Sequence, residues 1–152
     1  MEFKVKVRRI IAGCTKSGSQ ILADGSPPVV IEMGADNGMG GALLWSTPPA
    51  PQVGIDAGEA TEQHPGFRPP AGETRFVLVC FAPGAIAEMH ATDTVDHFAL
   101  FEGELELHVD QGPPTIIRAG DVVVCLGANH KWVNQSDKVA KGFTTLIGAI
   151  RS

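Results

Sequence analysis

Residues 84–107 read GAIAEMHATDTVDHFALFEGELEL, and this run carries two of the chain's five histidines, His90 and His97, among acidic residues. Gly84 opens it and Gly103 interrupts it as a turn position. On a regular strand, residues of equal parity share a face. His90, Thr92, Thr94 and Asp96 then point one way and His97 the other. Whether the run is a metal site or a polar relic depends on what the rest of the chain brings to it.

Outward from this run, the second half alternates short apolar segments with turn signals. Thr74 to Phe81 reads as a strand closed by Pro83-Gly84, and Asp96 to Glu102 and Glu104 to Val109 flank Gly103. Thr115 to Arg118 follows the turn DQGPP, and Val122 to Leu126 follows AGD. His130 to Asn134 and Lys141 to Ile150 complete the set. In the first half, Glu2 to Ile11 reads as a strand with Phe3, Val5 and Val7 alternating against Lys4, Lys6 and Arg8. CTKSGS turns into a return strand at Gln20 to Leu22, ADGSPP breaks it, and Val29 to Met33 and Ala42 to Ser46 follow. Thr47 to Gly72 has no sustained period and reads as a long irregular loop, of the kind that often covers a site. No amphipathic helix is evident. Strands every 8–12 residues with turn signals predict a β-sandwich or barrel.

The chain's 152 residues suit one domain with a real core. Its formal charge of −5 argues against nucleic acid as the main partner, because phosphate binding needs a basic surface. Lys4, Lys6, Arg8 and Arg9 read as a solvated strand face. Three widely spaced cysteines without a CxxC argue against a disulfide framework or a structural zinc cluster. Cys80 and Cys125 sit in apolar runs and read as small core residues. The N-terminus lacks the apolar core of a signal peptide, and no run approaches the roughly 18 apolar residues of a membrane span. The expectation is a cytoplasmic protein without a membrane partner. The strand edges and the Phe3-Val5-Val7 strip predict pairing into a homodimer.

Two motifs in the second half resemble those of the cupin superfamily, small barrels of the jelly-roll type. In the first, Gly84 is followed by five residues and His90, then Thr92 where the family has a second His, Asp96 where it has Glu, and Gly103 after six more residues. In the second, Gly120-Asp121 leads to His130, and Asn134 follows three residues later. Leu126-Gly127 replaces the family's Pro-x-Gly turn, and the interval is one residue shorter than usual. The run MHATDT followed by Asp96 is similar to that of a subgroup of small single-domain cupins. The resemblance covers roughly residues 74–149. It implies an all-β, cupin-type jelly-roll β-barrel. Residues 1–73 would supply N-terminal strands and a long loop completing it, and residues 74–152 the core with both motifs, all in one structural domain with an N-terminal strand extension.

The resemblance also implies a site. His90, Asp96 and His130 would hold one divalent transition metal, and two imidazoles with one carboxylate suit Fe, Mn, Ni or Zn. Asp is a methylene shorter than Glu, and the Thr92 hydroxyl is a weak ligand better suited to orienting water or substrate. Asn134 would share that role, with His130, Thr92 and Asn134 as catalytic residues, and Trp132 and Phe98 would wall a substrate pocket. His97 reads as facing away, His108 as part of a solvated sheet face, and His64 as a loop residue. The leading expectation is a metal-dependent enzyme acting on a small organic acid, ketone or phenol, with oxygenase chemistry ranked ahead of lyase, decarboxylase or isomerase chemistry. The alternatives are a metal-free enzyme using a pocket histidine as general base, and a non-catalytic module that binds a small molecule.

Overall fold

A computed structural model describes residues 4–34, 36–54 and 58–152. Met1–Phe3, Ala35 and Ile55–Ala57 lie outside that range, so the expectations for Glu2 and Phe3 are not addressed by it. The β-branched and aromatic segments form twelve strands among the described residues: β1 Arg9–Thr15, β2 Gly18–Gly25, β3 Val29–Ile31, β4 Met39–Thr47, β5 Thr74–Phe81, β6 Ile86–His90, β7 Thr94–Glu102, β8 Glu104–Val109, β9 Thr115–Arg118, β10 Val122–Leu126, β11 His130–Val133 and β12 Ala140–Gly148. Their ladders are antiparallel. They build a six-stranded sheet in the order β10-β7-β12-β5-β4-β3, a four-stranded sheet in the order β6-β11-β8-β9, and a separate β1-β2 hairpin.

Strand alternation sends one set of side chains between the two large sheets. Phe81, Phe98 and Leu100 come from the six-stranded sheet and meet Leu105, Ile117 and Trp132 from the four-stranded sheet in the main core. The opposite parity of the six-stranded sheet makes a second core, in which Ala42, Leu44, Leu78 and Cys80 pack under Val5 and Met33. The expected N-terminal strand therefore differs in form. Lys4–Arg8 run outside any ladder, yet Val5 is buried while Lys4, Lys6 and Arg8 are exposed. Packing of Val5 and a hydrogen bond from its N–H to Glu32 Oε2 at 2.7 Å hold the segment in place of strand pairing. The return strand also runs further than expected, through Ala23-Asp24-Gly25, because those residues pair with Ile11, Ile10 and Arg9.

Arg9 is not the solvated lysine-like residue its neighbours suggest. Its guanidinium donates to both Glu59 carboxylate oxygens, at 2.9 and 2.6 Å, and to Leu44 O at 3.0 Å. Glu59 in turn caps a single helical turn, α1 Ala60–Gln63, inside the stretch expected to be wholly irregular, accepting from Thr61 Oγ1 at 2.7 Å. The same loop is pinned by Arg75, a fully buried cation paired with Glu73 at 2.7 Å. It also donates to Gly66 O and Pro65 O. A buried charge is tolerated only when its donors are satisfied in this way.

Two glycines separate conformational freedom from close approach. Gly103 has φ +82, and a Cβ there would lie 2.7 Å from Ala140 Cα and 2.8 Å from Val139 O. Gly120 has φ +100 with open space around it. In urea unfolding, Gly103→Ala is expected to destabilise by about 2–4 kcal/mol and Gly120→Ala by only about 1 kcal/mol. Equal losses would remove the backbone contact as the reason for Gly103.

The Arg9 guanidinium holds the Glu59 carboxyl down to about 2 from the ordinary 4.5. A depressed carboxylate stabilises the fold fully above its unfolded value, and that contribution fades as pH falls from 4.5 towards about 2. With this half-buried pair, Glu59→Gln is expected to cost roughly 1–2 kcal/mol at neutral pH and almost nothing near pH 2, as read by paired thermal melts.

Candidate functional site

The two motif segments meet as strands of one ladder. β6 and β11 pair with His130 opposite His90. At the other end, Gly84 N–H donates to Asn134 O and Asn134 N–H to Ala85 O, each at 2.9 Å. Within the ladder the register slips between His130 and Trp132, so that Trp132 faces Ala87 and Lys131 spans both Glu88 and Met89. The slip decides the site. Ala87 packs into the main core, and an uninterrupted strand would turn His90, three residues on, to the opposite face. The extra residue brings it back inward.

The two imidazole rings lie 4.5 Å apart, centroid to centroid, tilted by 51°. His90 Nδ1 bonds Glu88 O at 2.6 Å, and His130 Nδ1 bonds Ala128 O at 2.8 Å. A carbonyl only accepts, so each Nδ1 is the atom that donates there, and Nε2 is left as the ring atom for another partner. This is how histidines are oriented when they serve as metal ligands. His130 is buried and His90 half-buried. Beneath them Trp132 packs against Phe98 at 4.9 Å and sets its ring edge-on to His130 at 6.1 Å. Both aromatics belong to the main core and form the floor under the pair.

The expectation of one regular strand from His90 to Asp96 is corrected. β6 ends at His90, Ala91–Asp93 form a connection, and β7 begins at Thr94. Thr92 sits in that connection, its hydroxyl 2.7 Å from Thr94 Oγ1 and its carbonyl accepting from Arg151 at 2.9 Å. Asp96 shares inward parity with the buried Phe98 and Leu100 on β7. Its Oδ1 is sealed from solvent and accepts no hydrogen bond. Leaving such an atom unsatisfied costs about 1–3 kcal/mol, which marks it as an acceptor available to something bound. Among the described residues, no three His, Cys, Asp or Glu side chains are grouped so as to hold a metal ion. What is assembled is the imidazole pair, with Asp96 the unsatisfied carboxylate on the facing sheet.

Asn134 is a second correction. Its side chain is fully buried and donates to Phe81 O, Ala82 O and Lys138 O, while its Oδ1 accepts from Ser136 N and Oγ. Its polar capacity is spent on the backbone and on Ser136 Oγ, so it closes the turn after β11 and has nothing left for water or substrate. His97 is exposed on the opposite face of β7. His108 bonds its strand neighbour Glu106 at 2.8 Å, and His64 caps α1 beside Glu73 at 3.4 Å.

Cys125 is the residue that sequence reasoning missed. It lies opposite Asp96 in the β10-β7 ladder, with its Sγ 3.7 Å from His130 Nδ1. Burial pushes its thiol up, and the nearby Asp96 charge adds to this. It is therefore a neutral thiol between Asp96 and His130. The period of β10 already placed it inward with Val123; its proximity to His130 had no sequence signal.

The comparisons with known proteins agree with this architecture. Residues 77–145 match the family model described as "Cupin domain". The chain is 31% identical over 132 residues to a cupin-domain-containing oxidoreductase, srdD, of Neurospora crassa, covering 85% of this chain and 67% of that protein. It is 43% identical over 73 residues to the oryzines biosynthesis cluster protein J of Aspergillus oryzae, covering 48% of this chain and 40% of that one. The chain thus spans about two thirds of the first relative and less than half of the second. Among solved structures, a Cupin 2 conserved barrel domain protein from Salinispora arenicola superposes with a TM-score of 0.52 at 22% identity, covering 77% of this chain and 82% of that one. An RmlC-like cupin from Shewanella frigidimarina gives 0.51 at 18% identity, covering 79% and 83%. Paired motifs on one ladder, two facing antiparallel sheets and these similarities have one common reading: the chain belongs to the cupin superfamily.

Proposed function

We propose that this chain is a metal-dependent cupin enzyme of the oxidoreductase type, acting on a small organic acid, ketone or phenol. The observation that carries the reading is the imidazole pair, its rings 4.5 Å apart, with both Nδ1 atoms tied to backbone carbonyls so that each Nε2 is left for another partner. The donor set fits a divalent metal in kind: His90 and His130 would hold it and Asp96 would complete three ligands, a set suited to Fe, Mn, Ni or Zn. When bound, such an ion supplies Lewis acidity, and one-electron chemistry with oxygen if it is iron. The printed activity of the Neurospora relative supports redox chemistry over lyase, decarboxylase or isomerase chemistry, and the biosynthesis-cluster name of the Aspergillus relative supports a small organic substrate.

The chain's own residues have distinct parts in this reading. Glu88 O and Ala128 O orient the two rings. Trp132 and Phe98 keep water from beneath them and offer an apolar wall to a substrate ring or chain. Thr92, in the connection after His90, presents a hydroxyl that can hydrogen-bond a substrate oxygen once released from Thr94. Asp96 offers its unsatisfied oxygen as ligand or as acceptor of a proton.

Protein reconstituted with Fe, Mn, Ni or Zn is expected to hold roughly one ion per chain. His90→Ala or His130→Ala should weaken that binding more than about 100-fold, and Asp96→Asn about 10–100-fold. Less than about 0.2 ion per chain under all four metals would overturn the proposal. Turnover that survives strong chelators but disappears in His130→Ala would replace it with general-base catalysis.

A further inference from the structure

The two connections that carry the histidines cross the same end of the barrel. Residues 91–93 lead from β6 in the four-stranded sheet to β7 in the six-stranded sheet, directly after His90. Residues 127–129 lead back from β10 in the six-stranded sheet to β11 in the four-stranded sheet, directly before His130. His90 and His130 are also the terminal pair of their ladder. Strand pairing therefore holds the two rings from one side only, and the connections must hold them from the other.

Arg151 bridges these connections. Its Nη2 donates to Thr92 O at 2.9 Å and to Gly127 O at 3.2 Å, and its Nε donates to Asp93 Oδ1 at 2.6 Å. The side chain reaches them from a fixed root. Gly148, the last residue of β12, donates its N–H to Glu73 O and accepts from Gly72 N–H, and a Cβ there would collide with Pro70 O. Ala149 N–H then donates to Asp93 O at 2.9 Å and Ile150 turns to solvent, which returns Arg151 to the connections. Gly127 is the matching position. A Cβ there would lie 3.2 Å from Arg151 Nη2 and 3.4 Å from Thr92 O, and its φ of +66 favours glycine. Other exposed ion pairs, Arg118 with Glu104 and Lys141 with Glu102, join residues already opposite each other in one ladder. Arg151 instead joins two segments that lie outside the ladders.

We propose that Arg151 is a positioning residue for the histidine pair, a staple that sets the spacing of His90 and His130 by holding Thr92 behind one and Gly127 ahead of the other. The carbonyl that orients the His130 ring belongs to Ala128, one peptide unit beyond the carbonyl that Arg151 holds. On the other side the guanidinium holds Thr92 O, while the Thr92 hydroxyl is held by the buried Thr94. A planar fork with fixed donor directions suits such a bridge better than a flexible ammonium. The side chains of Arg151 and Asp93 are 51% and 64% exposed, so their ion pair adds little to global stability. Its effect is local, on two connections that nothing else among the described hydrogen bonds joins to each other. The consequence for metal rests on the reading of the histidine pair as ligands, whereas the coupling of the two connections does not.

In metal-free Arg151→Ala, amide hydrogen exchange is expected to rise at least about 10-fold over both residues 91–94 and residues 127–130, with the thermal midpoint within about 3 °C of wild type. The imidazole nitrogen NMR signals of His90 and His130 should shift in the same variant. Zinc affinity, read by calorimetry, should fall about 10-fold, as it does when a group that orients a ligand is removed. Arg151→Lys keeps a charge beside Asp93 but not the fork, so it should loosen both connections as well, and it decides the matter if Arg151→Ala does not fold. The proposal is overturned if exchange at either connection stays at the wild-type rate, if both loosen while the imidazole signals stay in place, or if the lysine variant matches wild type throughout. Zinc affinity unchanged in Arg151→Ala, where the wild type binds zinc, overturns it too. A wild-type chain that takes up none of zinc, iron, manganese or nickel overturns the metal reading instead, and the exchange and imidazole measurements still decide the staple.

Discussion

Everything around the candidate site hangs on the antiparallel pairing of β6 with β11. The pairing joins two segments some forty residues apart in the chain. One end is locked by the reciprocal hydrogen bonds between the Gly84-Ala85 turn and Asn134, and the other brings His90 opposite His130. The Asn134 amide nitrogen is committed to backbone carbonyls, so the closing end cannot loosen without stranding several of them. The single slip of register between those ends turns His90 inward. A metal pair, a general base or a binding contact at His90 would each need that slip, because an unbroken strand would present the imidazole to solvent.

The rest of the fold packs the inward side of this ladder against the main core. Phe98 on the facing sheet and Trp132 on β11 meet below the histidines, and the main core continues from them through Leu100 and Leu105. The six-stranded sheet must therefore bury its inward face here, and its outward parity is left to find other cover. The N-terminal segment supplies that cover with Val5 and Met33 over β4 and β5 only. The long loop is held away from the barrel interior by ion pairs of its own, Arg75 with Glu73 and Arg9 with Glu59. Those contacts tie its described residues to β1 and β5 and not to the histidines.

Much of the barrel was legible without coordinates. β5, β8, β9 and β10 match their expected limits because each is a short apolar run bounded by Pro, Gly or Asp, and local turn chemistry ends a strand wherever it occurs. That Trp132 shares a face with His130 followed from parity in β11. Parity failed where the chain departs from a regular ladder. Ala91–Asp93 break the strand after His90, so Thr92 lies in a connection and not beside the histidine on one pleat. Asn134 looked free because its partners, Phe81 and Ala82, come from a strand fifty residues earlier. Arg9 looked solvated because Glu59 is fifty residues later.

Sequence alone determined most of the second-half strands, the turns between them and the two histidines in matching motif positions, since these follow from local periodicity and from spacing. Only the tertiary structure decided which donors meet. It aligned His90 with His130 and fixed the donating nitrogen of each ring through a carbonyl two residues back. It put Cys125 at His130 and left Asp96 Oδ1 without a partner. The physical reason is that a strand's period says which face a side chain takes, while the register of a ladder, slips included, is set by the whole set of pairings and by the core they enclose.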